Sequence, residues 1–282
     1  MLLPLTVDVV EITDPADPRV DDFRDLSRAD RRPDVPGGPA GSALAIAEGV
    51  TVVQRMIASR FAPHAFLGVE KRLAELTAAG SITRGPDGVP FYVASAEVMA
   101  AVVGFHLNRG VLGVARRPTP LTVAQVCASP SGAEARTVVV LEGVNDHENI
   151  GSIFRNAAGL NVDAVIFGRG CADPLYRRSI RVSMGHALLV PFATYEAWPD
   201  DLTVLKEAGF RTVALTPGEG SVPLAEAVSG DRIAFLVGAE GPGLAEDTMA
   251  QCDVRARIPM SRGTDSLNVA TAAAIAFYER TR

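Results

Sequence analysis

From Thr137 to its end the chain repeats one pattern, a short apolar run followed by a longer amphipathic stretch. Val138–Leu141, Ala164–Phe167, Leu188–Val190, Thr212–Leu215, Ile233–Val237 and Val254–Ile258 are the short runs, and they read as strands. Most of them carry no polar face, so both of their faces must be covered. Helices expected over Ile150–Leu160, Asp201–Ala208, Leu244–Met249 and Leu267–Glu279, with one more between Phe167 and Leu188, supply the cover. The pattern predicts an α/β fold built on a mostly parallel sheet. In such sheets ligands bind beyond the carboxyl ends of the strands.

The first half reads as a smaller α/β unit. Gly49–Ile57 and Lys71–Thr77 suggest helices, Ala65–Val69 and Pro90–Ala94 suggest strands, and Ser95 is a cap for a helix that follows it. Before these, a short helix starting at Pro18 would pack through Val20, Phe23 and Leu26, and Pro33–Pro39 reads as an irregular loop. Breaks at 115–121 and 128–135 mark a linker. The expected division is 1–115, a linker over 116–135, and 136–282.

With 282 residues, 48% of them hydrophobic, the chain can bury a full core, and no apolar run reaches the roughly 18 residues that span a bilayer. The start, Met1-Leu-Leu-Pro-Leu, lacks a basic segment, so no secretory leader is expected. Cys127, Cys171 and Cys252 are odd in number and widely spaced, which points to reduced thiols in the cytoplasm and to no metal site. The net charge of −6 is unusual for a nucleic-acid binder, although local patches decide contacts. Lys71 and Lys206 are the only lysines; arginine, whose planar fork suits phosphate, supplies the other cations.

Three segments carry chemistry beyond the scaffold. Asn149-Ile-Gly-Ser-Ile-Phe-Arg155 opens a helix near Asp146, with Asn149 and Arg155 expected on one helical face; a capped helix with a surface arginine is the alternative. Val237-Gly-Ala-Glu-Gly-Pro-Gly243 places three glycines around Glu240 at a strand end, where backbone can approach a ligand closely. It is neither a dinucleotide nor a P-loop fingerprint. Ser266-Leu-Asn-Val-Ala270 starts a helix that is apolar nearly all round, with Asp265 and Ser266 as expected caps. Arg177, Arg178 and Arg181 follow Tyr176 as either an anion patch or a solvated face.

In this order, with Ile258-Pro-Met260 between the last two, the segments resemble the SpoU (TrmH) branch of the SPOUT RNA methyltransferases over about 138–280. The resemblance implies a trefoil-knotted parallel-sheet domain that binds S-adenosylmethionine, and a homodimer whose partner completes the site. It also implies catalytic roles for Arg155, Asn149, Glu240, Ser266 and Asn268. Leu215, Thr216, Gly238, Ile258, Met260 and Leu267 would hold the cofactor. The N-terminal unit is similar in size and pattern to a ribosomal-protein L30e/L7Ae-like RNA-binding domain.

The reaction so implied is methyl transfer to a ribose 2′-hydroxyl, with Glu240 and Asn268 expected to orient Arg155 or the motif loops. RNA, ribosomal more readily than transfer RNA, would meet Arg60, Arg109, Arg116, Arg117, Arg177 and Arg178, with Arg55 a further candidate. A non-catalytic RNA-binding or assembly factor of the same fold is the competing reading. A nucleotide-dependent oxidoreductase lacks its glycine fingerprint.

Overall fold

The computed structural model describes residues 3–27, 43–128, 135–261, 263–264 and 266–282. The expected Pro33–Pro39 loop, residues 129–134 of the second break and the Asp265 cap lie outside them. Chain contacts define two compact units, Met1–Thr119 with Leu175–Leu189, and Pro120–Pro174 with Val190–Arg282.

The first unit opens with β1 (Leu5–Glu11) and a 3-10 turn (Pro18–Phe23), then β2 (Leu44–Glu48), α1 (Val50–Ile57), β3 (Pro63–Gly68) and α2 (Glu70–Ala78). β4 (Ile82–Arg84), β5 (Val89–Val93), α3 (Ala96–Val103) and β6 (Val111–Arg116) complete its run before residue 120. Its six strands lie in the order β2-β6-β3-β5-β1-β4. β6 runs antiparallel to both neighbours, and the remaining pairs are parallel. The expected helices, and the strands at 65–69 and 90–94, are present to within two residues. Ser95 Oγ accepts from Val98 N at 3.3 Å, as a cap should. Val20, Phe23 and Leu26 are buried beneath the first turn. β1 was not among the expected elements: Asp8 and Glu11 interrupt its apolar pattern, yet it lies inside the sheet between β5 and β4.

In the second unit α4 (Val123–Ala128) precedes β7 (Thr137–Glu142), α5 (His147–Gly159) and β8 (Ala164–Phe167). The chain then gives α6 (Arg177–Val182) and a 3-10 turn (His186–Leu188) to the first unit. It resumes the second with β9 (Phe192–Thr194), a 3-10 turn leading into α7 (Thr203–Glu207), β10 (Arg211–Leu215), β11 (Val222–Pro223) and α8 (Leu224–Ala227). β12 (Ile233–Gly238), α9 (Glu246–Ala250), β13 (Val254–Arg257) and α10 (Val269–Thr281) follow. All seven strands are parallel, in the order β11-β13-β10-β12-β7-β8-β9. The expected strand over Leu188–Val190 is corrected: Gly185, at φ 88°, starts a 3-10 turn there, and the strand forms only after Pro191. Phe154 of α5 packs on Phe167 and Phe192, and Phe277 of α10 packs on Phe235. Burying each such ring contributes about 2–3 kcal/mol.

Sequence placed Leu175–Leu189 inside the C-terminal domain, but this segment packs with the first unit. Its anchor is Glu48 at the end of β2, which is 6% exposed. Arg177 Nη1 reaches Glu48 at 3.1 Å, Arg181 at 3.7 Å and Arg109 at 3.9 Å. Arg55 donates to Met184 O, and the Arg177 guanidinium lies 5.0 Å from the Phe105 ring centroid. A buried carboxylate needs such partners, because unpaired it would be expelled. No helix among the described residues is long and apolar enough to cross a membrane.

Candidate active site

In the second unit the strand order turns back where β12 is inserted between β10 and β7. The loops leaving β10, β12 and β13 and the start of α10 surround a cavity of about 690 Å³. That volume lies within the roughly 300–1,000 Å³ of small-molecule sites. Leu215, Ile258, Met260 and Leu267 give it apolar walls, and Thr216 and Gly238 line it too. Ser266, Glu240 and Asn268 line it as well. All six residues expected at the cofactor therefore face one space.

Gly238 explains the glycine-rich turn. A Cβ placed there would lie 2.1 Å from Gly243 C and 2.2 Å from Leu244 N, so any side chain would collide with backbone. The loop folds back on its own entry strand, with Gly243 N donating to Ala239 O at 3.0 Å. Across the cavity, Thr216 N donates to Ala256 O, and Thr216 Oγ1 accepts from Gly218 N at 3.2 Å. The first bond ties the loop after β10 to β13, and the second closes the loop on itself.

Three polar side chains, one from each motif, join at the cavity. Asn149 Nδ2 donates to Glu240 Oε1 at 3.0 Å. Asn268 Nδ2 donates to Asn149 Oδ1 and to Glu240 Oε1, each at 2.8 Å. Asn268 Oδ1 meanwhile accepts from Ala270 N and Thr271 N, so Asn268 is the cap of α10. The expected Ser266 cap is thus corrected, because the helix begins two residues later than its placement required. Asn149 sits in the first turn of α5 and is 7% exposed.

Arg155 is placed differently from the expectation. Six residues separate it from Asn149, a rotation of about 240° around the helix, so the two cannot share a face. Asn149 is buried and Arg155 exposed, and Arg155 does not line the cavity of its own chain. Glu240 and Asn268 orient Asn149, not Arg155.

The arginines expected at RNA all fall in the first unit. Arg60, Arg109, Arg116 and Arg178 are exposed, and Arg117 is partly buried. Arg177 is 15% exposed and engaged by Glu48. Arg177 is therefore not part of an open anion patch: with the more exposed Arg181 it neutralises a buried acid.

Glu142, at the end of β7, escaped the sequence reading. It is 5% exposed, and its carboxylate accepts from Arg169 Nε, Trp198 Nε1, Thr248 Oγ1 and Ala245 N. The available signal was an acid ending an otherwise apolar strand, Thr137-Val-Val-Val-Leu-Glu142.

The SpoU rRNA Methylase family model matches residues 136–278. An "uncharacterized tRNA/rRNA methyltransferase" of Mycobacterium tuberculosis (strain ATCC 25618 / H37Rv) is 64% identical over 279 residues, 98% of this chain and 93% of the relative. The 23S rRNA (guanosine(2553)-2′-O)-methyltransferase RlmP of Bacillus subtilis is 29% identical over 68% of this chain and 72% of its own length. Among solved structures, an rRNA methyltransferase from Sinorhizobium meliloti superposes with a TM-score of 0.77 at 24% identity, covering 96% of this chain and 97% of that one. The chain belongs to the SpoU family of S-adenosylmethionine-dependent RNA methyltransferases.

Proposed function

We propose that the chain methylates the 2′-hydroxyl of a ribose in structured RNA in the cytoplasm, with ribosomal RNA favoured over transfer RNA. The observation that carries this reading is the Asn149–Glu240–Asn268 cluster beside a glycine-walled cavity. S-adenosylmethionine supplies a methyl group on a sulfonium, which leaves as a neutral thioether. The cavity suits such a ligand: the apolar walls at Leu215, Ile258, Met260 and Leu267 match a purine ring, and Gly238 keeps one side free of side chain.

Glu240 accepts from two amides, so its part is to hold Asn149 and Asn268 in register. A guanidinium stays charged throughout the working pH range and cannot act as a base. Arg155 instead grips the ribose hydroxyl and a flanking phosphate, and that phosphate takes the hydroxyl proton. Its exposed position outside its own cavity supports service in the site of a second copy, within a homodimer. Arg60, Arg109, Arg116, Arg117 and Arg178 are the proposed RNA contacts, which makes affinity salt-dependent. Arg177 is the least available of the group because Glu48 engages it. The same reading includes a trefoil-knotted path in the second unit and an L30e/L7Ae-like first unit. Support comes from the return of β12 into the sheet and from the six-stranded mixed sheet.

The test is transfer of tritiated methyl from S-adenosylmethionine to ribosomal RNA, ribosomal subunits and bulk transfer RNA, followed by mapping of the labelled nucleotide. Label at a 2′-oxygen of ribosomal RNA is expected. Label confined to transfer RNA would favour that substrate, an alternative consistent with the name of the mycobacterial relative. No label in any RNA would overturn the catalytic reading in favour of an assembly factor.

A further inference from the structure

We infer that Glu142 is a positioning residue for the cofactor loop: its backbone pairs with the entry of Gly238–Leu244, and its side chain holds the exit. The inference rests on the cofactor reading of the cavity given above.

The entry is fixed by the sheet. Gly238 is the register partner of Glu142 across β12 and β7. The exit is fixed by the carboxylate. Ala245, which follows the cavity wall residue Leu244, donates its N–H to Glu142 Oε2 at 3.0 Å. Thr248, which precedes the wall residue Met249, donates its hydroxyl to Oε1 at 2.9 Å. One residue thus holds both ends of the loop, and the close approach at Gly238 leaves the turn little freedom to relax.

The remaining donors lock the carboxylate itself. Arg169 Nε and Trp198 Nε1 each reach Oε1 at 2.8 Å. Arg169 Nη2 continues to Asp247 Oδ1 at 2.8 Å, a second tie to α9. The Trp198 ring is held in turn against Gly168, where a Cβ would come within 2.8 Å of it. Glu142 is not a cavity-lining residue, so it acts through the loop.

Glu142→Gln separates positioning from bulk. The amide is isosteric, yet whichever way it points its NH₂ group faces donors: Ala245 N–H on one side, or Arg169, Trp198 and Thr248 on the other. A donor facing a donor leaves buried groups unsatisfied and pushes the loop exit away. Asp253→Asn is the control. Asp253 accepts from Thr212 N and Thr212 Oγ1, both at 2.8 Å, at the amino ends of β10 and β13 and outside the cavity lining.

The experiment is calorimetric titration of the full chain with S-adenosylmethionine, beside thermal melts and steady-state kinetics. Glu142→Gln should weaken cofactor binding about tenfold while KM for RNA at saturating cofactor stays within about twofold. Asp253→Asn should lower the melting temperature with cofactor affinity unchanged. Cofactor affinity within about twofold of the parent in Glu142→Gln would overturn the inference. If that variant does not fold, Thr248→Val removes one donor only and should weaken binding about threefold; unchanged affinity there overturns the inference equally. A parent chain that binds no S-adenosylmethionine would instead sink the cofactor reading itself, before any variant is compared.

Discussion

Asn268 Nδ2 donates to Asn149 Oδ1 at 2.8 Å, which bonds the cap of the last helix to the first turn of a helix 119 residues earlier. Asn268 has two separable duties, since its oxygen caps α10 and its nitrogen holds Asn149 and Glu240. Asn268→Asp keeps the cap, because aspartate caps well, but sets a second carboxylate against Glu240. Methyl transfer should fall at least about tenfold while the melting temperature drops by less than about 3 °C. Asn268→Ala loses the cap too, costing about 1 kcal/mol more, which thermal melts would show as a further drop of about 2–4 °C.

Arg155 lies outside the cavity of its own chain, which makes complementation a direct test. Arg155→Ala should bind S-adenosylmethionine normally and turn over poorly; Gly238→Val should not bind it. Under the proposed homodimer, mixing and refolding these two nearly inactive proteins in equal amounts should restore about a quarter of parental activity, because half the dimers would be mixed and each would hold one intact site. Recovery of no activity would return Arg155 to a role within its own chain.

Gly238→Ala adds a single methyl group where backbone atoms stand 2.1 Å and 2.2 Å from the new Cβ position. Calorimetry should show cofactor affinity reduced at least about tenfold, with the far-ultraviolet dichroism of the sheet retained. Parental affinity in that protein would remove the loop from the cofactor site.

The second unit was legible because parallel strands buried on both faces announce themselves as apolar runs. Five of the six expected strands lie within two residues of their places, and the exception, Leu188–Val190, failed where Gly185 and Pro191 impose a turn. β1 was hidden by its own acids, which project from an otherwise apolar strand. Asn149 and Arg155 could be named, yet their faces were misjudged because six residues do not close a whole number of helical turns. Glu142 was invisible for a different reason. Its partners stand 27, 56, 103 and 106 residues away, so no local spacing could announce the cluster.

Glu48→Gln removes the charge on which Arg109, Arg177 and Arg181 converge. Arg177 would keep a largely buried guanidinium without its counter-ion. Breaking a buried pair costs about 3–5 kcal/mol, and the partial exposure of the other two arginines favours the lower end. Urea unfolding should report a loss of about 3 kcal/mol. A change below about 0.5 kcal/mol would mean that Glu48 is not the anchor of the Leu175–Leu189 segment.

Burial raises the Cys127 thiol from its usual 9.0 to about 11 and the Cys252 thiol to about 12, and it raises Cys171 as well. At pH 8 a thiol with a pKa near 11 is about one part in a thousand thiolate. The folded protein should resist iodoacetamide at that pH, and mass spectrometry should find all three cysteines modified in urea. Because these values are raised on folding, their contribution to stability is complete below about pH 9. It should be lost as the pH climbs through about 11 to 12, seen as a falling melting temperature.

Leu175–Leu189 belongs to one unit while the strands that flank it, β8 and β9, belong to the other. The polypeptide therefore crosses between its two units three times, and neither can be cut out as one continuous piece. Expressing residues 120–282 alone would leave Arg177 and Arg181 without Glu48 and would strand Ile180 and Ala187, both fully buried in the whole chain. A catalytic fragment made for study would have to replace that excursion with a short polar bridge between Pro174 and Val190.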